Sequence, residues 1–252
     1  MNLLKADLFH LSKDKVFWIL ISLTFLLPPV TCVMYNSMGT TNLSIQTLIF
    51  SGLGTDILCV IIGIALSSFI GKDYANNTIR NKICYGENKI KVALFYLLET
   101  VIITLLFIIT SLISSFIFGL MFCEVTFTSD FVIKLLCQIC IFIGFSSLIS
   151  AIVISSKSTK TGFIATIIIS VILSAVSYLF PLLAGTSDFA KVISRSLYMV
   201  VSNMVINGQN GSYITAGYTF DYVYLNALIM SIIYMGISVG TTLLMVRKQN
   251  YK

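Results

Sequence analysis

Few side chains in this sequence could do chemistry, and their spacing limits what chemistry that could be. The single histidine is His10. Histidine-dependent hydrolysis and metalloprotease schemes therefore have no base within the apolar body of the chain. Gly144-Phe145-Ser146 has the form of the G-x-S of intramembrane serine proteases, but no histidine follows it; small residues there suit close helix packing instead. Cys137 and Cys140 form a C-x-x-C inside an apolar run, with no second pair nearby. They read as small hydrophobic packers, as do Cys32, Cys59, Cys84 and Cys123, and no metal site is expected. No G-x-x-x-x-G-K-[ST] run occurs, so the chain lacks a phosphate-cradling loop of its own.

Two carboxylates fall inside apolar runs, Asp56 in SGLGTDILCV and Glu99 in LLETVIITL. An ionised side chain at mid-bilayer costs roughly 2.5–3.5 kcal/mol on insertion scales, so each must face protein or water. They either line a path for a cationic or amphipathic substrate or hydrogen-bond a neighbouring helix. Gly236 and Gly240 form a small-x-x-x-small pair that lets helices approach closely, within the chain or between chains.

The most informative polar segment is 71–91, GKDYANNTIRNKICYGENKIK. It is too polar to insert and too mixed in composition to be only a charge anchor. Asp73, Tyr74, Asn77, Thr78, Ile79, Arg80, Asn81 and Lys82, followed by Gly86 and Lys89, could form a short helix closed by a glycine turn. It reads equally as a helix that docks a partner and as a solvated, lipid-anchoring loop.

These residues hang on a membrane scaffold. Of 252 residues, 57% are hydrophobic and 10% charged, against roughly 25% charged in a soluble domain. So little charge cannot clothe a water-facing surface of this size. Apolar runs of about 20 residues each suffice to cross a hydrocarbon core as helix, where helices satisfy their own backbone. The expected class is an all-α membrane protein with spans at 16–35, 47–70, 92–122, 131–155, 163–184 and 223–246. Val16 to Leu27 is followed by Pro28-Pro29 without a small-residue cleavage site, so this run reads as a span and not a signal peptide.

Thirteen of the sixteen basic residues lie at the amino end, in 71–91, in 156–162 and in the tail. Only Lys134, Lys191 and Arg195 fall on or near the other side. The basic side is expected in the cytoplasm, with both termini there, and its charge meets anionic lipid and not nucleic acid. Residues 1–15 place Met1, Leu4, Leu8 and Leu11 on one helical face, as an interfacial amphipathic helix would. Residues 185–222 are too polar to span, yet Phe189, Ile193, Leu197, Val200 and Met204 make an apolar stripe. That stripe predicts an amphipathic helix half-sunk at the outer face, ending before Asn207-Gly208, with Pro181 ending or bending the fifth span. The whole chain reads as one transmembrane domain.

In this order of elements, and in the run Asp73-Tyr74, Asn77-Thr78-Ile79-Arg80-Asn81-Lys82, Gly86 and Lys89, the chain resembles the type-2 ABC exporter permeases. The likeness is greatest to small bacterial permeases of antimicrobial-peptide immunity and amphipathic-peptide export. The resemblance implies that 73–82 is a coupling helix seated on a separate ABC ATPase subunit. It implies pairing with a second permease chain, identical or not, in a bacterial plasma membrane. ATP and Mg would sit on the partner; this chain would bind no cofactor and would not be an enzyme by itself. An ATP-independent carrier, channel or substrate-binding membrane subunit is the competing class. Inverted repeats or further paired intramembrane charges would favour it, and the sequence displays neither.

Overall fold

The computed structural model describes residues 2–37, 44–53, 56–76, 78–84, 86, 88–185, 187–215 and 218–248, with the side chains at 2–6, 8, 36, 56, 80, 178 and 248 outside the description. Among the described residues, six helices are long and apolar enough to cross a membrane. They are α2 (Lys15–Ser37), α4 (Asp56–Ala75), α6 (Lys89–Phe122), α7 (Phe131–Ser156), α8 (Thr159–Leu183) and α11 (Val223–Lys248). Shorter helices fill the connections: α1 (Asn2–Lys13), α3 (Ile45–Leu53), α5 (Thr78–Cys84), α9 (Asp188–Ser196) and α10 (Tyr198–Asn207). A small antiparallel hairpin, β1 (Tyr213–Thr215) with β2 (Tyr218–Phe220), precedes α11.

The chain turns from α1 into α2 at Asp14. Its Oδ1 accepts from the Val16 amide at 3.0 Å, the geometry of a helix N-cap, while Trp18 Nε1 donates to the Ser12 carbonyl at 2.7 Å. Farther along, α2 carries Pro28 and Pro29. Pro29 has no N–H to offer the carbonyl of Phe25 four residues back. Ser114 of α6 donates to that carbonyl instead, at 2.6 Å, so the backbone is satisfied by a neighbour where it cannot be satisfied internally.

Small residues set a close pairing of α4 with α8. Gly63, Ser67 and Gly71 recur every fourth residue on α4 and face Thr166, Gly162 and Thr159 of α8. A Cβ at Gly63 would overlap the Thr166 side chain, and one at Gly71 the Thr159 side chain and backbone. A Cβ at Gly162 would come within 2.6 Å of Ser67 Oγ. The same logic brings α7 to α11 at Gly144, where a Cβ would stand 3.2 Å from the Ser231 carbonyl oxygen. The G-F-S segment therefore serves as a packing notch. Gly236 and Gly240 differ: among the described residues, nothing lies within 4 Å of a Cβ built on either.

The span expected over 47–70 falls on α3 and α4, with residues 54 and 55 between them outside the described residues. Two expectations require correction. Helix α4 runs on to Ala75, so Asp73 and Tyr74 belong to the helix of the span and only 78–84 form the short helix α5. The stripe from Phe189 to Met204 is likewise not on one helix. Leu197 is extended (φ −81°, ψ 129°), and α9 and α10 meet at 86°. Phe189 is left 71% exposed while Val200 and Met204 are buried. Pro181 lies inside the last turn of α8, which stops two residues later.

The α9–α10 region is pinned to the spans by polar contacts. Asp130 Oδ2 accepts from the Asn210 amide at 2.9 Å and from the Tyr224 hydroxyl at 3.2 Å. Asn226 Nδ2 donates to the Arg195 carbonyl at 2.9 Å, and Tyr234 donates to that of Ser196. Lys134, one of the three basic residues away from the basic side, is buried. Its Nζ reaches the Ile206 carbonyl at 3.4 Å, at the negative end of α10, where a cation is favoured.

Candidate functional site

The segment singled out as a coupling element sits at the basic face, where α1, α4, α5 and α6 converge on Lys82. Its ammonium donates to Asp7 Oδ2 of α1 at 2.6 Å and to the Tyr96 hydroxyl of α6 at 3.2 Å, and stands 4.9 Å from the centre of the Tyr96 ring. The Tyr96 hydroxyl in turn donates to Asp73 Oδ2, at the end of α4, at 2.6 Å. Lys82 and Asp73 are 3.9 Å apart. One cation thus joins four helices through two carboxylates and a phenol.

Burial gives the junction its weight. The side chains of Lys82 and Asp7 are only 12% and 7% exposed. Breaking a buried pair by removing one partner costs about 3–5 kcal/mol, because the other charge is left uncompensated. Glu99 lies one turn past Tyr96 on α6 and is also buried. Neither of its carboxyl oxygens has a hydrogen-bond partner among the described residues, and it interacts with Asp7. Glu99 is about 15 Å along α6 from Lys89, in the same cluster as Lys82 and not on a separate path.

A second clamp flanks the first. Lys72 Nζ grips both oxygens of the Asp14 cap, at 2.9 and 2.7 Å. Between the two clamps lies a polar cleft of about 300 Å³, lined by His10, Lys13, Lys72, Asp73, Asn76 and Thr78. The amino-terminal helix is therefore fastened to α4 by Asp14 and to α5 by Asp7.

The expected site residues divide clearly. Asp73 and Lys82 are at the heart of the junction. Ile79 is buried in the core and holds α5 down; Tyr74 packs partly buried against the same core. Thr78 begins α5, and Asn81 and Cys84 are its exposed positions. Arg80 lies on α5 with its side chain outside the description, and Asn77 is outside the described residues altogether. Asp56 is the first described residue of α4, with its side chain outside the description, and is remote in sequence from the cluster that holds Glu99.

Asp7 and Tyr96 are the residues that sequence reasoning missed. In the sequence Asp7 falls among Leu4, Leu8 and Leu11, on the face expected to be apolar. A carboxylate there signals a buried partner, because an unpaired charge on that face would be costly. Tyr96 precedes Glu99 by three residues and shares its helix face.

The arrangement holds helices together through charge. All six cysteines are free thiols, with Cys137 donating to the Tyr224 carbonyl at 3.7 Å. No curated protein matches the chain. Residues 3–177, from α1 through most of α8, match the family model described as ABC-2 family transporter protein. With that match over more than half its length, and with six helices able to span, the chain belongs to the ABC-2 family of transporter proteins, as a multi-pass membrane subunit that works with an ABC ATPase and is not itself the ATPase.

Proposed function

We infer that the chain is the permease subunit of an ATP-driven exporter that moves an amphipathic peptide, an antimicrobial or a lipid-like molecule out of a bacterial cell. The basic face lies in the cytoplasm, with both termini. ATP and Mg reside on the ATPase subunit, which seats against α5 and the adjoining cleft. The observation that carries this reading is the Lys82 junction. A seven-residue helix could not transmit force if it hung in a loose loop, but α5 is tied to α1, α4 and α6 at once. Motion imposed on α5 would therefore reach three helices together.

In this reading Asp73, Tyr74, Asn77, Thr78, Ile79, Arg80 and Lys82 form the coupling element, and α1 is an interfacial brace. The α9–α10 pair and the hairpin gate the outer exit. Gly236 and Gly240, bare of neighbours, form the face for a second permease chain. Asp56 remains a candidate for the path, while Glu99 acts with the junction.

The test is to purify the chain with the ABC ATPase encoded beside it, and to compare Arg80→Ala and the exposed Asn81→Ala with the unaltered complex. Both variants should assemble in the membrane yet lose substrate-dependent ATP hydrolysis and transport. If both activities persist at the unaltered level, the coupling assignment is wrong.

A further inference from the structure

The ends of α2 and α6 away from the basic face bring two thiols together. Both helices begin at that face, at Lys15 and Lys89, and they run side by side in parallel. Phe17 packs edge-on against Phe107 at 5.7 Å between ring centres. Phe25 meets Phe118 at 6.1 Å, and Ser114 donates to the Phe25 carbonyl at 2.6 Å. Continued away from the basic face, this register sets Cys32 of α2 beside Cys123, the cap residue of α6. The two side chains share a hydrogen bond there. Cys32 is buried and Cys123 half-buried. The backbone at Cys123 is also held in place. Its amide donates to the Gly119 carbonyl at 2.9 Å, and the next residue, Glu124, accepts from the Ile45 amide at 3.0 Å. Among the described residues, no group of three or more histidines, cysteines or acids could hold a metal, so the two thiols face each other without a third ligand.

We propose that Cys32 and Cys123 become joined by a disulfide once the chain is in the membrane, stapling the first span to the third at the outer face. This rests on the orientation inferred above, which puts the basic face in the cytoplasm and the thiol pair on the opposite side, where disulfides form and persist. The oxidant is itself a disulfide, either of low molecular weight or carried by a thiol oxidoreductase. Cys123, the more accessible partner, loses its proton and attacks one sulfur of the oxidant. A mixed disulfide forms and a first thiolate leaves. Cys32 then loses its proton, attacks the Cys123 sulfur and expels the second thiolate. The two leaving thiolates take up the two protons; the cysteine pair gives up two electrons and the oxidant gains them. Burial, and then the adjacent Cys32, push the Cys123 thiol up to about 11. Little thiolate is therefore present at neutral pH, and a thiol of this kind is also a poor leaving group, so exchange is slow in both directions. The bridge is a staple set once and not a switch that cycles.

The experiment uses the full chain, in purified reduced form and in intact cells. In the reduced protein at mildly alkaline pH, a bifunctional bimane that spans only adjacent thiols should join the peptides carrying Cys32 and Cys123, read by mass spectrometry. In protein from cells quenched with acid before lysis, digestion without reductant should yield the same two peptides linked directly. Alkylation of that protein after denaturation should find two fewer thiols than the six cysteines of the sequence. Cys32→Ser should abolish the linked peptide and return Cys123 to the alkylated set, whereas Cys84→Ser should leave the link intact. A membrane-impermeant maleimide reports orientation separately: Cys84, exposed on α5 at the basic face, should react only after the cells are opened. Absence of the bimane bridge would overturn the proposal, because the thiols are then not neighbours. A bimane bridge with no linked peptide from cells, and with Cys84 shielded until opening, defeats it while the orientation stands. Reaction of Cys84 in unopened cells defeats it through the orientation, and leaves the contact between the thiols untouched.

Discussion

Helix α4 is held in two unlike ways. In the membrane, Gly63, Ser67 and Gly71 lay it against α8 with only small side chains, those of Ser67, Thr166 and Thr159, between them. At the basic face, Asp73 joins it through Tyr96 and Lys82 to α5, α6 and α1. The first joint depends on shape, is short-ranged and has essentially one solution. The second depends on charge; it survives small displacements and weakens when a competing charge arrives. A lever needs both. The packed seam makes α4 and α8 move as one body, and the charged junction lets that body respond to whatever touches α5.

The largest expected effect is at the charged joint. Lys82→Met leaves Asp7 and Asp73 buried without their cation and should destabilise the protein by about 3–5 kcal/mol, measured as an unfolding midpoint in detergent. Adding Asp7→Asn should restore part of the loss, and a strictly additive double variant would mean that the two groups do not interact. The packed joint should behave otherwise. Gly71→Leu forces a side chain into the Thr159 backbone and should cost about 1–3 kcal/mol, with no charge substitution at the basic face able to rescue it. Rescue by Asp7→Asn would erase the distinction between the joints.

Smaller effects sharpen the same contrast. Tyr96→Phe removes one hydroxyl that both donates and accepts, and should cost about 1–3 kcal/mol because Asp73 loses its donor in a buried site. Loss of ATPase coupling that exceeds the loss of stability would mark the hydroxyl as part of the transmission. The smallest effect is at the opposite face. There Lys191, 2.7 Å away, holds the exposed Asp188 carboxyl below its ordinary value of 3.8. A depressed carboxyl stabilises the fold above that ordinary value, and the contribution is lost as pH falls through the lower folded value. Lys191→Ala should return the Asp188 titration to normal by NMR and leave the unfolding midpoint unmoved at physiological salt.

Hydropathy revealed the spans because a lipid-facing helix must be apolar over its whole length, and the helix ends followed from where charge resumes. It did not reveal the bend at Leu197, where local backbone choice outweighs a continuous apolar pattern. The small-residue motif was read at Gly236-Gly240 and passed over at Gly63-Ser67-Gly71, which packs on α8. Only tertiary structure tells which of the two is covered, because the pattern says that a close approach is available and not what approaches. The coupling loop was legible as a polar island with Lys82 and Asp73 in it. Its anchors on α1 and α6 were not, since Asp7 lies 75 residues from Lys82 and Tyr96, though only 14 away, is one aromatic within an apolar span.

The hydrogen bond from Ser114 to the Phe25 carbonyl has a consequence in time as well as in space. The donor lies 89 residues downstream of the acceptor. At ordinary synthesis speeds of about 5–20 residues per second, roughly 5–20 s separate the two on the ribosome. Throughout that interval the prolines leave a backbone carbonyl of α2 without its helical donor, so the nascent first span has reason to keep Phe25 near water or a chaperoning surface. Completion of α6 ends that wait, which makes the seating of the first span a late event in assembly although its residues are among the earliest made.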